Sequence, residues 1–478
     1  MKLKLIFFIS SVFLFSSLIS QEVNFQIDED SWQADFKFQK KKVEKIVTSY
    51  QNPENKQTFD EMYDLINSSQ KSDFNLLRED FYNGYNALEL PGLQVNYVDV
   101  LNNIQTKSQI EKQSIFFSSM NDRWSNLNPN KLNEQELLDY RIIGYEISIN
   151  LERISLERKW DNSIKINDKE SIYSVPFGKE WYTYLLKRWV DISVKPNELF
   201  EFGLKEIHKV KLNMDRLQQQ SGLSGVDFEK YLESDHFLIH EPNEVKEGFI
   251  KMRNIVDVNA SNIFPYITQI PNVNIEKGTN EDLAHVPAYY NNNTFYYNLF
   301  DEPFNKRQIG WFYVHEAIPG HHYQSSINTL VNRSDIQNLF WYPGFAEGWG
   351  AYVEHLGKEL GAYKTIYDEY GKWEWDLIRS VRVCLDIGIN HKGWSDKKAL
   401  AFWNQHIIDK EEIAKREISR MKRWPAQVIT YKYGEAVLLS LLKEAKNKPG
   451  FNYKKFHEKV FEHGDVPISL LKLYDFSD

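Results

Sequence analysis

Apolar residues recur at three- and four-residue intervals along most of the chain, the period of one face of an α-helix. Asn133–Glu157 and Leu199–Gln219 carry the pattern most clearly. Pro196-Asn197-Glu198 opens the second of these with a proline and an acid, as a first helical turn prefers. Strand signals are few. Asn272–Ile275 and Thr294–Leu299 are the best, each enriched in β-branched or aromatic residues, and the turn-formers Asn291-Asn292-Asn293 precede the second. No internal repeat, low-complexity linker or Pro/Gly-rich hinge interrupts the sequence. The pattern predicts a mainly α fold with a small β element, one helical domain in two lobes of about residues 21–200 and 201–478.

The first twenty residues, MKLKLIFFISSVFLFSSLIS, depart from this pattern. Lys2 and Lys4 form a basic start, and Leu5 to Ile19 make an apolar run too short and too rich in serine to favour a spanning helix. Residues 1–20 therefore read as a cleaved signal peptide, which predicts a periplasmic or secreted protein with no stable membrane insertion after cleavage. No cysteine follows the run, which argues against a lipid anchor.

The 478 residues are ample for a large core, and 26% charged with 42% hydrophobic is an ordinary globular balance. Aromatics reach 15%, read first as bulky helix packing and second as the lining of a cleft. Removing residues 1–20 takes away two lysines and no acids, so the formal charge falls from −9 to −11. Such an acidic chain is a poor partner for nucleic acid. Lys40-Lys41-Lys42 is offset by Glu44 and reads as a solvated helix face. The single cysteine, Cys384, lies between Val383 and Leu385 and reads as a buried, inert thiol. Gly222-Leu223-Ser224-Gly225 is no nucleophile elbow, because Val226 stands where the second glycine is needed. No phosphate-cradling glycine loop is present.

The chemistry is concentrated in Trp311–Gln324, WFYVHEAIPGHHYQ. In the H-E-x-x-H helix of zinc proteases, two histidines four apart share a face and one metal, while the glutamate activates water. Here His321 follows His315 by six residues and His322 by seven. On an unbroken helix His321 would point about 120° away, and His322 would sit about 10 Å further along the axis. Pro319 resolves the conflict, since it lacks an N–H and its ring clashes with the carbonyl of His315, four residues back. Gly320 then permits the dihedral angles a break demands. A two-residue Pro-Gly bulge makes His321 the favoured second ligand, with His322 either facing substrate, backing the ligands, or taking the ligand position itself.

A second motif, Gly344–Glu354 (GFAEGWGAYVE), places Glu347 26 residues after His321. Gly348, Gly350 and Ala351 leave one helical face almost bare, which lets the helix bearing Glu347 come close to a neighbour holding a metal. His315, His321 and Glu347 would leave a fourth zinc position for water. Glu354, seven residues after Glu347, is placed to orient a ligand imidazole from behind.

The pair HEAIPGHHYQ and FAEGWGAYVE resembles the bacterial domain-of-unknown-function 885 family, which belongs with the helical, gluzincin-type zinc metallopeptidases. That group includes angiotensin-converting enzyme, thimet oligopeptidase and the thermostable carboxypeptidases. The resemblance covers most of the mature chain and is strongest from about Pro287 to Gly434. It implies a large helical body around a deep cleft, with one Zn2+ per chain. Ala288–Leu299, AYYNNNTFYYNL, resembles the segment beside the zinc helix that holds extended substrate along a strand, and brings in Tyr297 and Asn298. Arg379–Trp394 resembles the family's Arg-x-x-Arg…Asp-x-Gly run, which implies ligand-supporting or substrate-binding roles for Arg379, Arg382 and Asp386. Asn390 stands where the family usually has histidine, with His391 one place later. Pro425–Gly434 resembles the Pro-x-Gln…Tyr-x-x-Gly segment, which makes Tyr431 the tyrosine that stabilises an oxyanion.

The resulting expectation is metal-assisted hydrolysis of a peptide or related amide, with Glu316 as general base and Tyr431 sharing the oxyanion charge. The rival expectation is an inactive peptide-binding protein of the same fold, in which the Pro-Gly break has misplaced the second histidine.

Overall fold

Prolines and capping side chains set the helix boundaries. The computed structural model describes residues 73–167, 169–281, 286–300, 303–408 and 410–476. The expected signal peptide, residues 1–20, and the Lys40-Lys41-Lys42 cluster lie outside them. The helices that frame the argument are α1 (Glu134–Glu157), α2 (Gly178–Trp189), α3 (Pro196–Ser221), α4 (Pro242–Ile263), α5 (Ile309–Glu316), α6 (His321–Leu330), α7 (Pro343–Val353), α8 (Ile366–Asn390), α9 (Glu411–Arg423) and α10 (Ile429–Lys446). Proline occupies the first turn of α3, α4 and α7, where its missing N–H has no helical partner to lose. Thr365 and Asp368 close a reciprocal capping box on α8, and Gly222 at φ 72° ends α3. The fold is mainly α.

The β element is a three-stranded sheet of β1 (Asn274–Lys277), β2 (Ala288–Asn291) and β3 (Thr294–Tyr297). β3 lies in the middle, parallel to β1 and antiparallel to β2. Asn292 and Asn293 join β2 to β3 with φ 45° and 60°, the left-handed pair that a two-residue hairpin turn requires. The first strand begins two residues later than Asn272–Ile275 predicts. β2 was not among the strand signals, because its Ala-Tyr-Tyr-Asn sequence has no alternation.

Among the described residues, 73–83 with 118–141 form one compact unit and 84–117 with 142–476 form another. Residue 200, the boundary expected between lobes, lies inside the unbroken α3. No described helix is long and apolar enough to cross a membrane.

Within the second unit the core is organised on α8, every residue of which from Asp376 to Asn390 is buried. A helix apolar or paired all round must be surrounded, and α3, α9 and α10 pack along it. Cys384 is fully buried there, with its thiol 3.4 Å from the Phe200 carbonyl and burial pushing it up to about 12. An inert thiol is the result. Between α3, α8 and α10 the core also holds ions. Lys432 contacts Asp376 at 2.6 Å, Glu435 at 2.9 Å and Glu206 at 3.1 Å, and Lys372 reaches Asp376 at 2.7 Å. His355 joins them through Glu435 at 2.6 Å.

α7 meets α10 at two glycines. A Cβ on Gly348 would lie 2.4 Å from the Gly434 Cα, so the contact is backbone against backbone. Gly348→Ala is therefore expected to lower stability by about 1–3 kcal/mol through overpacking. Denaturant unfolding of the variant checks this, and a loss below a few tenths would show that the helices can separate freely.

Candidate metal centre

α5 is buried almost all round, from Ile309 to His315, and ends at Glu316. Its helical hydrogen bonds stop with the Ala317 N–H on the Tyr313 carbonyl at 2.9 Å. Pro319 has no N–H to continue them. A Cβ on Gly320 would stand 1.8 Å from the His315 carbonyl oxygen, so glycine is the residue that fits. α6 starts afresh at His321, with the Gln324 N–H on the Gly320 carbonyl at 2.9 Å. The Trp349 indole on α7 donates to the Pro319 carbonyl at 2.8 Å and ties the break to the neighbouring helix.

The break brings the two imidazoles together, ring centroids 4.9 Å apart and nearly perpendicular. Glu347 on α7 completes the group: one donor atom each from His315, His321 and Glu347 all lie within 4.8 Å of one another. Glu347 reaches His321 Nε2 at 3.5 Å. α7 can approach because Gly350 lies under the His315 ring, where a Cβ would be 2.8 Å from Cε1. His322 points elsewhere. Its Nε2 donates to the Pro271 carbonyl at 2.6 Å, and its Nδ1 lies 3.1 Å from the Tyr290 hydroxyl on β2.

His315 is held from behind. Its Nδ1 meets Glu354 at 2.7 Å, and Arg379 Nη1 donates to both oxygens of that carboxylate at 2.7 and 2.8 Å. Glu354 is wholly buried. With Nδ1 taken, Nε2 is left on the far side of the ring, the arrangement that fixes tautomer and direction in a ligating histidine. Burial, with Arg379 and His321 nearby, holds His315 well below its usual range and hence neutral. Burial would also lower His321, but Glu347 and Glu316 outweigh it and raise it to about 9. Against burial, His321, His315 and Arg420 hold Glu347 below the ordinary carboxylate range. Burial pushes Glu316 up to about 7, with Glu347 adding to the rise and His321 opposing it. Two imidazoles and one carboxylate are a zinc donor set, so the residues fit that ion.

Tyr431, early in α10, lies beside this group with its ring 6.5 Å from that of His315. Gln427 donates to its hydroxyl at 3.3 Å. The guanidinium groups of Arg379 and Arg382 lie 5.7 and 5.6 Å from its ring. Three other expected residues are differently engaged. The Tyr297 hydroxyl donates to the Pro242 carbonyl at 3.0 Å, and the Asn298 amide donates to the Val286 carbonyl at 2.5 Å. Asp386 accepts from the Tyr182 hydroxyl at 2.6 Å and from the Ala426 N–H at 3.0 Å. It thus anchors the left-handed turn at Ala426, φ 72°, that leads into Tyr431. Asn390 donates to the Met421 carbonyl at 2.9 Å, which is a structural contact between α8 and α9. Sequence reasoning did not single out Arg420, whose Nη2 donates to Gln427 at 2.8 Å. In RMKRW it reads as one more cation on a solvated helix end, and only its seven-residue distance from Gln427 hinted otherwise.

Residues 152–473 match the family model described as "Bacterial protein of unknown function (DUF885)". No curated protein matches the chain. A solved structure described as a "putative lipoprotein" from Colwellia psychrerythraea is similar at TM-score 0.58 and 20% identity, over 79% of this chain and 71% of that one. A second, a "putative lipoprotein of unknown function" from Shewanella oneidensis, is similar at TM-score 0.61 and 14% identity, over 85% of this chain and 98% of that one. These likenesses show the fold.

Asp386 generates a pH test. Burial raises it from 3.8 to about 7, despite the Tyr182, Ala426 and Asn390 hydrogen bonds and Arg420 nearby. A raised folded value means that the native state binds the extra proton, so ionising Asp386 destabilises it as pH climbs from about 4 to 7. Asp386→Asn can keep both acceptor contacts and has no proton to lose. Relative to the wild type it is expected to gain stability across that window, by up to roughly 4 kcal/mol for three pKa units. Unfolding curves at pH 4 and pH 8 measure the difference, and a pH-independent gap would show that Asp386 is ionised throughout.

Proposed function

The chain belongs to the DUF885 family, and on that footing we propose that it is a zinc-dependent hydrolase of peptide or related amide bonds. The observation that carries the proposal is the convergence of His315, His321 and Glu347 within 4.8 Å, with Glu316 next to His315 at the end of α5. The resemblance of both motifs to the helical zinc metallopeptidases supports the same reading and suggests the peptide substrate. The apolar leader and the lipoprotein descriptions of the two similar structures support an exported location.

His315 and His321 on either side of the helix break, with Glu347 from α7, would hold the ion. Bound there, zinc would polarise the scissile carbonyl and lower the pKa of a water towards about 7. The rest of the work falls to the chain's own side chains. Glu316, next to His315 at the end of α5, is placed to accept a proton from the attacking water and return it to the leaving amine. Glu354 and Arg379 hold the His315 ring so that it stays neutral and fixed. Tyr431, steadied by Gln427, offers a phenol to charge developing on the carbonyl oxygen.

Purified protein is expected to carry about one zinc per chain, and His315→Ala or Glu347→Ala to lose nearly all of it. Glu316→Gln keeps the shape and the metal but cannot take the proton, so hydrolysis of a mixed peptide library should collapse while elemental analysis still finds zinc. Absence of zinc from the wild type would overturn the proposal and leave a peptide-binding protein. Normal turnover by Glu316→Gln would assign the base elsewhere.

Glu354→Gln tests the support behind His315. It removes the charge that meets both His315 and Arg379, so zinc affinity should fall by roughly 10- to 100-fold. Competition against a calibrated chelator measures this. An unchanged affinity would reduce Glu354 to a packing role.

A further inference from the structure

Three arginines crowd the side of Tyr431, and their charges are not equally matched. Arg379 has a carboxylate of its own, its Nη1 donating to both oxygens of Glu354. Arg382 and Arg420 share one carboxylate, Glu417, at 3.2 and 3.9 Å. Glu417 is the only hydrogen-bond partner of the Arg382 side chain among the described residues. The Nε atoms of both Arg382 and Arg420 are buried without an acceptor. Arg382 is 4% exposed.

In the same core Lys372 and Lys432 are surrounded by three carboxylates, Asp376, Glu435 and Glu206. Leaving a buried guanidinium short of counter-charge is costly, which makes the deficit beside Tyr431 informative. Glu347 also faces Arg420 electrostatically, but in the proposed function its charge serves the metal. In this corner two guanidinium groups share one carboxylate. The corner stands close to the candidate metal centre, because Arg382 and His315 both lie near the Tyr431 ring, at 5.6 and 6.5 Å from its centre.

We infer that Arg382 and Arg420 form a carboxylate-binding subsite beside the candidate metal centre, so that the substrate carries a carboxylate close to the bond that is cleaved. The inference rests on the hydrolase reading. A guanidinium fork pairs with a carboxylate through two parallel hydrogen bonds and so fixes orientation as well as charge. Two sources supply such a group: the C-terminal α-carboxylate of a peptide, which would make cleavage occur near the end of the chain, or an acidic side chain beside the scissile bond.

The test uses three N-acetylated peptides of one sequence: a neutral peptide with a free C-terminus, the same peptide amidated, and the amidated peptide with a glutamate next to the cleavage position. Each is assayed for kcat and KM with zinc-loaded wild type, and for binding by calorimetry to Glu316→Gln. Preference for a carboxylate-bearing peptide over the neutral amide is expected at about 10- to 100-fold, the range of a charge-assisted hydrogen bond. The peptide that benefits identifies the source. In Arg382→Gln and in Arg420→Gln the preference should shrink towards one, and Arg382→Lys should restore part of it. The ratio is taken within each protein, so a partly unfolded variant does not distort it, and the Arg420 side chain, 26% exposed, can be replaced without emptying the core. Equal handling of all three peptides by the wild type overturns the subsite. If no peptide is cleaved, the hydrolase reading fails separately. Binding to Glu316→Gln then decides the subsite alone: a preference sustains it and no preference overturns it.

Discussion

A carboxylate with no access to solvent holds the candidate centre in place. Glu354 meets the His315 imidazole on one side and the Arg379 guanidinium on the other, joining the end of α7 to α5 and α8. Removing one partner of a buried ion pair strands the other and typically costs about 3–5 kcal/mol, so these three segments are bound to a common geometry. The donors of His315, His321 and Glu347 can meet only while that geometry persists. The Tyr363 phenol donates to the Glu354 main-chain carbonyl at 2.7 Å and fixes the same residue through its backbone.

Around this anchor, close approach is obtained by omission. Gly350 clears the space under His315, Gly348 and Gly434 let α7 touch α10, and Gly320 clears the His315 carbonyl. Each replaces a side chain with backbone contact, so helices that would otherwise lie 8–10 Å apart can bring a glutamate onto a neighbour's histidines. The Pro-Gly interruption does the complementary task along the chain. It converts an impossible six-residue helical spacing into two short helices whose adjoining ends face one another.

Charge is matched in some parts of the core and deficient in one. The Lys372, Asp376, Lys432, Glu435 and Glu206 network closes on itself and stiffens the junction of α3, α8 and α10. The Arg382–Arg420–Glu417 corner does not close, and it lies close to the candidate metal centre. A site that binds an anion must keep such a deficit, whereas a junction that only supports the fold has no reason to.

The helical class, the positions of two long helices, α1 and α3, and the two motifs were legible in the sequence, because periodicity, caps and prolines act over a few residues. The helix break was legible too: Pro319 and Gly320 forbid a regular helix by local sterics alone. What spacing could not decide was which polar residue meets which. Asp386 and the Asn298 amide looked like site residues and instead hold backbone, and His322, one place from His321, is engaged by Pro271 and Tyr290. Arg420, which no motif marks, adjoins Tyr431. The pairing of Tyr182 with Asp386 spans 204 residues, and no local rule reaches so far. Desolvation makes every buried charge depend on the partners that packing brings to it, and packing exists only once the chain has folded.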